Sequence, residues 1–505
     1  MHLSMTVVRR TIARVTALAV FSVLALGAPA PVRADGGDFG LMVERLLRAQ
    51  SERLFGVKKP LEESALGPFA GSNADVLELA KGLTATVVSN ATDPQADMIA
   101  LWPDDENPTH LFVCVENFFS GNDPNVVSIQ RVTLGGDPNA NVETIVKGIS
   151  SCDPIRRTPW GTLVVGEESG TDGGLYEILD PLGISAASPI VVTDRATGAN
   201  TDPSRLAKRQ AVGSLSWEGN VILPDGVMYF GDENRPSSGK AGGGVYKFVP
   251  AAPYVPGSGP IGTLAQSPLV GGTIYGLRLG TRNGNTDYGQ GSEIGKGVWL
   301  SIDPALFADA NGNTILRNAQ LALGLTGYYR PEDMDRDPLA AAEGFVRVCW
   351  ANTGRMTNGA GSAVENGANY GEVQCLTDLE AAGGWVPLVE RFVNGDPQMN
   401  HADNLAFQPH TGTLIVLEDG EVEVLDENGA LKELRGNDIW MCLPDGADRD
   451  VLTDGCVRVA SVKDTDAEPT GFIFDASGET AYVNVQHRST GQGALLKISG
   501  FKVKK

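Results

Sequence analysis

Four acids stand at one offset from the start of short apolar strands. Aligned on their first residues, the segments are His110 to Glu116, Gly161 to Glu167, Gly226 to Asp232 and Gly412 to Glu418. Gly344 to Trp350 and Gly478 to Asn484 share the alignment but end without an acid. Side chains alternate faces along a strand, so one offset means one face and one end. Other acids stand at strand starts, beside Gly, Pro or Asn. They are Glu218 in Trp217-Glu218-Gly219, Glu332 in Arg330-Pro331-Glu332-Asp333, Asp403 in Ala402-Asp403-Asn404 and Glu468 in Ala467-Glu468-Pro469. Carboxylates gathered at one mouth repel one another unless a cation neutralises them. Oxygen-only clusters suit Ca²⁺, and a thiolate such as that of Cys152 would admit a transition metal.

Holding such a cluster takes repeated strands around an axis. Much of the chain repeats one unit: apolar strand, Pro-Asp-Gly or similar turn, apolar strand, acid, Gly-rich loop, Tyr-containing strand. Its clearest copy runs from Gly219 through Asp225 to Asp232, then Gly244 to Val249. This grammar predicts an all-β fold, a six-bladed β-propeller whose aligned strands line the central channel, closed near the channel by residues 470–500. Residues 35–70 have helical character and read as an N-terminal arm. The body is 71–505, with loop insertions, the largest rich in Gly and Asn from Gly280 to Gly295.

Residues 1–34 read as a signal peptide, with Arg9, Arg10 and Arg14 before an apolar run from Val15 to Gly27 and small residues around Arg33. The pair Arg9-Arg10 hints at the twin-arginine route. A periplasmic or secreted protein is expected, and no later stretch is apolar enough to span a membrane. Without its four Arg, the rest of the chain holds 36 basic residues against 62 acidic. That balance argues against nucleic acid or anionic membrane partners and fits cation binding. In an oxidising compartment the 6 Cys favour disulfides. Cys442 with Cys456 and Cys349 with Cys375 are plausible pairs. Cys114 and Cys152 either pair or leave one thiol for a metal.

Cys152, followed by Thr158-Pro159-Trp160-Gly161-Thr162 and Glu167-Glu168, resembles a signature of the PhoX-type alkaline phosphatase family. So do Arg330-Pro331-Glu332, Asp403-Asn404-Leu405-Ala406-Phe407, and Glu468-Pro469-Thr470-Gly471 with Val483-Asn484-Val485-Gln486-His487, in order. The resemblance implies an exported, six-bladed, metal-dependent phosphomonoesterase, a monomer acting on small phosphomonoesters through a cluster of Fe³⁺ and Ca²⁺. Cys152 would be a free thiolate on iron, and Glu218 and Glu332 carboxylate ligands. Arg330 would contact the substrate phosphate. Glu116, Glu167, Asp232, Asp403 and Glu468 would be calcium ligands. The chain departs from the family pattern at Trp217, Gly166 and Val115-Glu116-Asn117, and shows no second phosphate-binding Arg before Glu468. Two other readings fit the acids: a calcium-dependent lactonase or esterase propeller, and a non-catalytic secreted propeller with structural calcium.

Overall fold

Short runs of Val, Ile, Leu and aromatic residues, cut by Gly, Pro and Asp turns, fold here into antiparallel sheets in a propeller-like arrangement. The computed structural model describes residues 39–236, 242–280, 294–354, 370–381, 384–396, 398–420, 423–425, 431–446 and 451–503. The expected signal peptide and most of the Gly- and Asn-rich insertion lie outside the described residues. The chain divides into two compact units, Met1–Met42 and Val43–Lys505, and all the strands below belong to the second. No helix among the described residues is long and apolar enough to cross a membrane.

The strands that position the site are Ala96–Trp102, Cys152–Arg157, Trp217–Ile222, Pro331–Arg336, Ala402–Phe407 and Glu468–Phe474. Each lies at a sheet edge. Each also lies against the next in the series, and the last returns to the first. Gly219 permits one of these close approaches, since a Cβ there would strike the backbone of Asp333 and Met334. The apolar segments expected to line the channel are instead the second strands. His110–Val115, Thr162–Glu167, Met228–Asp232, Arg347–Asn352, Leu414–Glu418 and Thr480–Gln486 pair with the edge strands in turn. The reason is burial on both faces. A strand covered on two sides reads as a continuous apolar run, and Thr162–Glu167, Met228–Asp232 and Leu414–Glu418 are buried at every residue.

The last sheet contains residues 468–499; its inner edge strand, Glu468–Phe474, lies against Ala96–Trp102, and its outer strand is Thr84–Ser89, paired with Ala494–Ser499. Leu77–Leu79 likewise edges the preceding sheet through Cys456–Val462. The ring is thus fastened at its rim by early residues, where free backbone groups would otherwise be exposed. The helical segments are Phe39–Ala49 and Ser51–Leu54. Helix ends at Leu54, short of Pro60 where the helical character is expected to stop, because Gly56 turns left-handed. Leu61 and Leu66 instead bridge to Arg458 and Arg435.

Candidate functional site

All six edge strands carry a bulge at the same end. In the first, the partners step from Ala96↔Val115 to Ile99↔Val113, so one extra residue sits in the edge strand. The same step separates Cys152 from Ile155, Trp217 from Asn220, Pro331 from Met334, Ala402 from Leu405 and Thr470 from Ile473. A bulge re-aims a side chain and ends regular pairing. In five of the strands the residue that opens the bulge is an acid: Asp97, Asp153, Glu218, Glu332 and Asp403. In the sixth the bulge opens at Gly471, and the acid, Glu468, pairs two positions before Thr470, the last regular pair ahead of it. Three edge strands are also entered through a left-handed residue, Ser151 (φ 39°), Arg330 (φ 53°) and His401 (φ 52°). Such strain in residues other than Gly concentrates at sites where the surroundings over-determine the backbone.

These six acids line one cavity of about 360 Å³, joined by Glu116, Glu168, Asp419 and Asp466. Ten carboxylates therefore face one guanidinium, that of Arg330, among the lining side chains. Oxygens of Asp153, Glu168 and Glu218 lie within 4.8 Å of one another. Burial, followed by repulsion from Asp153, holds the Glu218 carboxyl well above the usual range. Burial also raises Asp97, Asp153, Glu168, Asp403 and Glu468, each with a neighbouring acid as the next cause. Glu332 is pushed up to about 8 by burial, against the pull of Arg330. Burial opposes the charge of Arg330, yet Glu332 and Glu233 outweigh it and raise its pKa. Its Nε lies 2.6 Å from Glu233 and 2.9 Å from Glu332, and its Nη2 3.7 Å from Asp419. Thr353 donates to Glu332 at 2.8 Å, and Gln486 to Glu116 at 2.7 Å. His487 Nε2 is 3.2 Å from Glu468 at the rim. So dense a set of hard oxygen donors, with Arg330 as the one guanidinium opposing it among the lining side chains, has the chemistry that suits cations.

Glu116, Glu218, Glu332, Asp403, Glu468 and Arg330 all line the cavity. Glu167 and Asp232 do not. Each ends a second strand and is neutralised by a buried or half-buried Arg. Arg195 Nε donates to Glu167 at 2.6 Å, and Ser150 and Gly174 add backbone N–H groups. Arg317, on the helix Leu316–Leu323, donates to Asp232 at 2.8 and 2.9 Å. Glu418, the remaining acid of the aligned set, is satisfied by N–H groups of Asn400, Asp438 and Trp440.

Cys152 is likewise not a free thiolate. It is bonded to Cys114, and no described cysteine is free. Cys152 packs with Cys114, Met98, Phe112 and Ile155 in the core between sheets, whereas its neighbour Asp153 lines the cavity. Adjacent strand residues face opposite ways, so the acid, and not the thiol, reaches the site. Cys349–Cys375 and Cys442–Cys456 are the other two disulfides.

Asp97, Asp153, Glu168, Asp419 and Asp466 escaped the sequence reading. Aligning the edge strands, instead of the more apolar second strands, puts Asp97 and Asp153 in register with Glu218, Glu332 and Asp403. Glu168 and Asp419 each sit one residue beyond an acid of the aligned set, which is enough to change face.

Fold and site together define an all-β, propeller-like protein with a buried carboxylate cavity where bulged edge strands meet. Residues 156–489 match the family described as alkaline phosphatase PhoX. The chain belongs to that family, whose activity is phosphomonoester hydrolysis. Among solved structures it is similar to PhoX of Pseudomonas fluorescens in complex with vanadate, described as a transition state analogue. There the identity is 18% and the TM-score 0.56, over 87% of this chain and 98% of that one. A PQQ-bound aldose sugar dehydrogenase from Streptomyces coelicolor matches at 12% identity and TM-score 0.40, over 84% of this chain and 99% of that one. No curated protein sequence matches the chain.

Proposed function

We propose that this chain is an exported, calcium-dependent phosphomonoesterase that works at the carboxylate cavity. The observation that carries the reading is the bulge repeat: five edge strands open it with an acid, and all five acids line one cavity. Family membership supports the reaction, and the oxygen-only donor set supports the cation. The expectation of ferric iron leaned on a Cys152 thiolate, which the disulfide removes from the ligand set. We read the ring as six blades, supported by the six edge strands in mutual contact. The nine-stranded sheet then counts as two blades joined where Gly295–Ile302 pairs with Gly384–Asn394. Residues 1–34 retain the pattern of an export signal, and 35–70 that of an arm leading into the body.

Asp153, Glu168 and Glu218 would hold one cation, their oxygens being mutually close, and Glu332, Asp403 and Glu468 extend the ligand wall. When bound, calcium supplies charge to hold the phosphate oxygens and stabilise the developing negative charge. Arg330 adds a guanidinium at the same wall, held in place by Glu233 and Glu332, and suited to a phosphate dianion. The bulged backbone and left-handed entries fix these groups before substrate arrives, which is where electrostatic catalysis gains most. The purified protein should release phosphate from p-nitrophenyl phosphate, and vanadate should compete with the substrate. A chain that folds, binds calcium and hydrolyses no phosphomonoester would sink this reading.

A further inference from the structure

A second cavity, of about 720 Å³, adjoins the first and shares Glu116, Glu168 and Arg330 with it. Its volume lies in the range of small-ligand pockets, roughly 300–1,000 Å³. Its charge is different. Four carboxylates (Glu116, Glu168, Asp172 and Glu233) meet four guanidinium groups (Arg195, Arg235, Arg317 and Arg330). The surplus of negative charge that would repel an organic anion in the first cavity is absent from this one. Two features of its wall point to what it receives.

The first is Phe118, which follows the strand His110–Val115 and is 75% exposed. Its position is fixed although its ring is uncovered. Ser150 Oγ accepts from the N–H of Phe119 at 3.1 Å and donates to its carbonyl at 2.8 Å. The Phe119 ring lies 5.3 Å from the Arg195 guanidinium. A loop tethered in this way holds a bare aromatic face at the edge of a cavity, and exposed apolar surface of that kind marks binding sites. The second feature is Arg195 itself, 6% exposed and on the cavity wall. Its Nε and Nη1 are used by Glu167 and Gly121, while Nη2 has no hydrogen-bond partner among the described residues. A buried donor left without a partner is costly and is a natural place for a ligand acceptor.

We propose that this cavity receives the leaving group of the substrate, and that Phe118 is a specificity-determining residue favouring phosphomonoesters whose leaving group carries an aromatic ring with a hydrogen-bond acceptor. The inference rests on the phosphomonoesterase reading, since the shared wall at Arg330 places the phosphate next door. An offset-stacked or edge-on ring against Phe118 supplies the selectivity, and the Arg195 Nη2 group the polar contact. Substituted aryl phosphates and nucleoside monophosphates both belong to this class.

The test is steady-state kinetics of wild type, Phe118→Ala and Phe118→Trp on p-nitrophenyl phosphate and glycerol 2-phosphate, with inorganic phosphate as inhibitor. Phe118→Ala should raise KM for the aryl ester about fivefold, the size of one aromatic pair. It should leave KM for glycerol 2-phosphate and inhibition by phosphate unchanged, and Phe118→Trp should keep the wild-type preference. Should the alanine chain not fold, Phe118→Leu reads the same ratio without the ring. Equal changes on both esters, or no change on either, overturn the leaving-group site while the phosphatase reading stands. A wild type inactive on both esters overturns the phosphatase reading, and this inference with it.

Discussion

Two rows of buried carboxylates run side by side around the ring, one strand apart, and they are treated in opposite ways. On the second strands, Glu167 and Asp232 are each closed off by an Arg, and Glu418 by backbone and indole N–H groups. On the bulged edge strands, Asp97, Asp153, Glu218 and Asp403 share a cavity with little opposing charge. Burial raises the pKa in both rows. In the first row Arg195 pulls Glu167 back and Arg317 pulls Asp232 back, whereas for Asp97, Asp153, Glu218 and Asp403 the next cause is another acid; Glu418, next to Asp438, and Glu332, next to Arg330, cross that division. A buried acid with its own counter-charge is part of the fold. A buried acid whose nearest charges are other acids is one that a cation would stabilise.

The sharpest way to break this contrast is to neutralise one acid of the cavity. Glu218→Gln should cut phosphomonoester hydrolysis by about 100-fold or more, the scale of losing one preorganised electrostatic group. It should also lower the bound calcium and leave the melting temperature of the metal-free protein unchanged or higher. A fall in that temperature would place Glu218 with the structural acids. The converse substitution is Arg317→Met, which strands Asp232 in the core. It should cost about 3–5 kcal/mol, read as a lower urea midpoint at constant slope. A cost near zero would mean that Asp232 is not dependent on its partner.

The pH dependence of the metal-free protein separates the rows more gently. Glu332 has an ordinary pKa of 4.5 and is raised to about 8, and its cavity neighbours are raised as well. The folded state then binds more protons than the unfolded state across that window, so stability falls as pH rises from 4.5 to 8. Thermal melts of stripped protein should be highest near the acid end and decline towards pH 8. Added calcium should reverse the decline, by about 2.7 kcal/mol per site at a hundredfold excess over Kd. A melting temperature that rises with pH in the absence of metal would contradict the excess of unpaired acids.

Part of this site was legible in the sequence, through Glu218, Glu332, Asp403 and Glu468 on the edge strands more than through the aligned apolar runs. Apolar runs such as Leu414–Glu418 announce themselves because they are buried on both faces, and so they are second strands. The edge strands, Cys152–Arg157 and Pro331–Arg336 among them, carry Pro, Asp and Arg and score poorly as strands. Their polar residues face the axis and reach across to the next strand. Asp333, for instance, takes Arg156 at 2.7 Å and the Leu405 N–H at 3.1 Å. Glu218, Glu332, Asp403 and Glu468 were found because Gly, Pro or Asn beside them marked a break in the strand. Asp97, between Ala96 and Met98, carried the same bulge without such a marker, and Asp153 was passed over although Pro154 follows it. Glu167 was chosen over Glu168 because a period of two cannot be phased once a strand ends. The pairing of Cys152 with Cys114 depends on two strands from different sheets lying together, with Cα atoms 5.1 Å apart, and no local pattern encodes that.

The central claim is that the edge-strand acids form one cation site that runs phosphomonoester hydrolysis. Its most direct test is calcium add-back to chelator-stripped protein, with bound calcium and p-nitrophenyl phosphate hydrolysis followed in the same titration for wild type and Glu218→Gln. The expected result is that binding and hydrolysis rise together in the wild type and that both are lost in the variant. Full hydrolysis by the stripped protein, or calcium binding that Glu218→Gln leaves untouched, would contradict it.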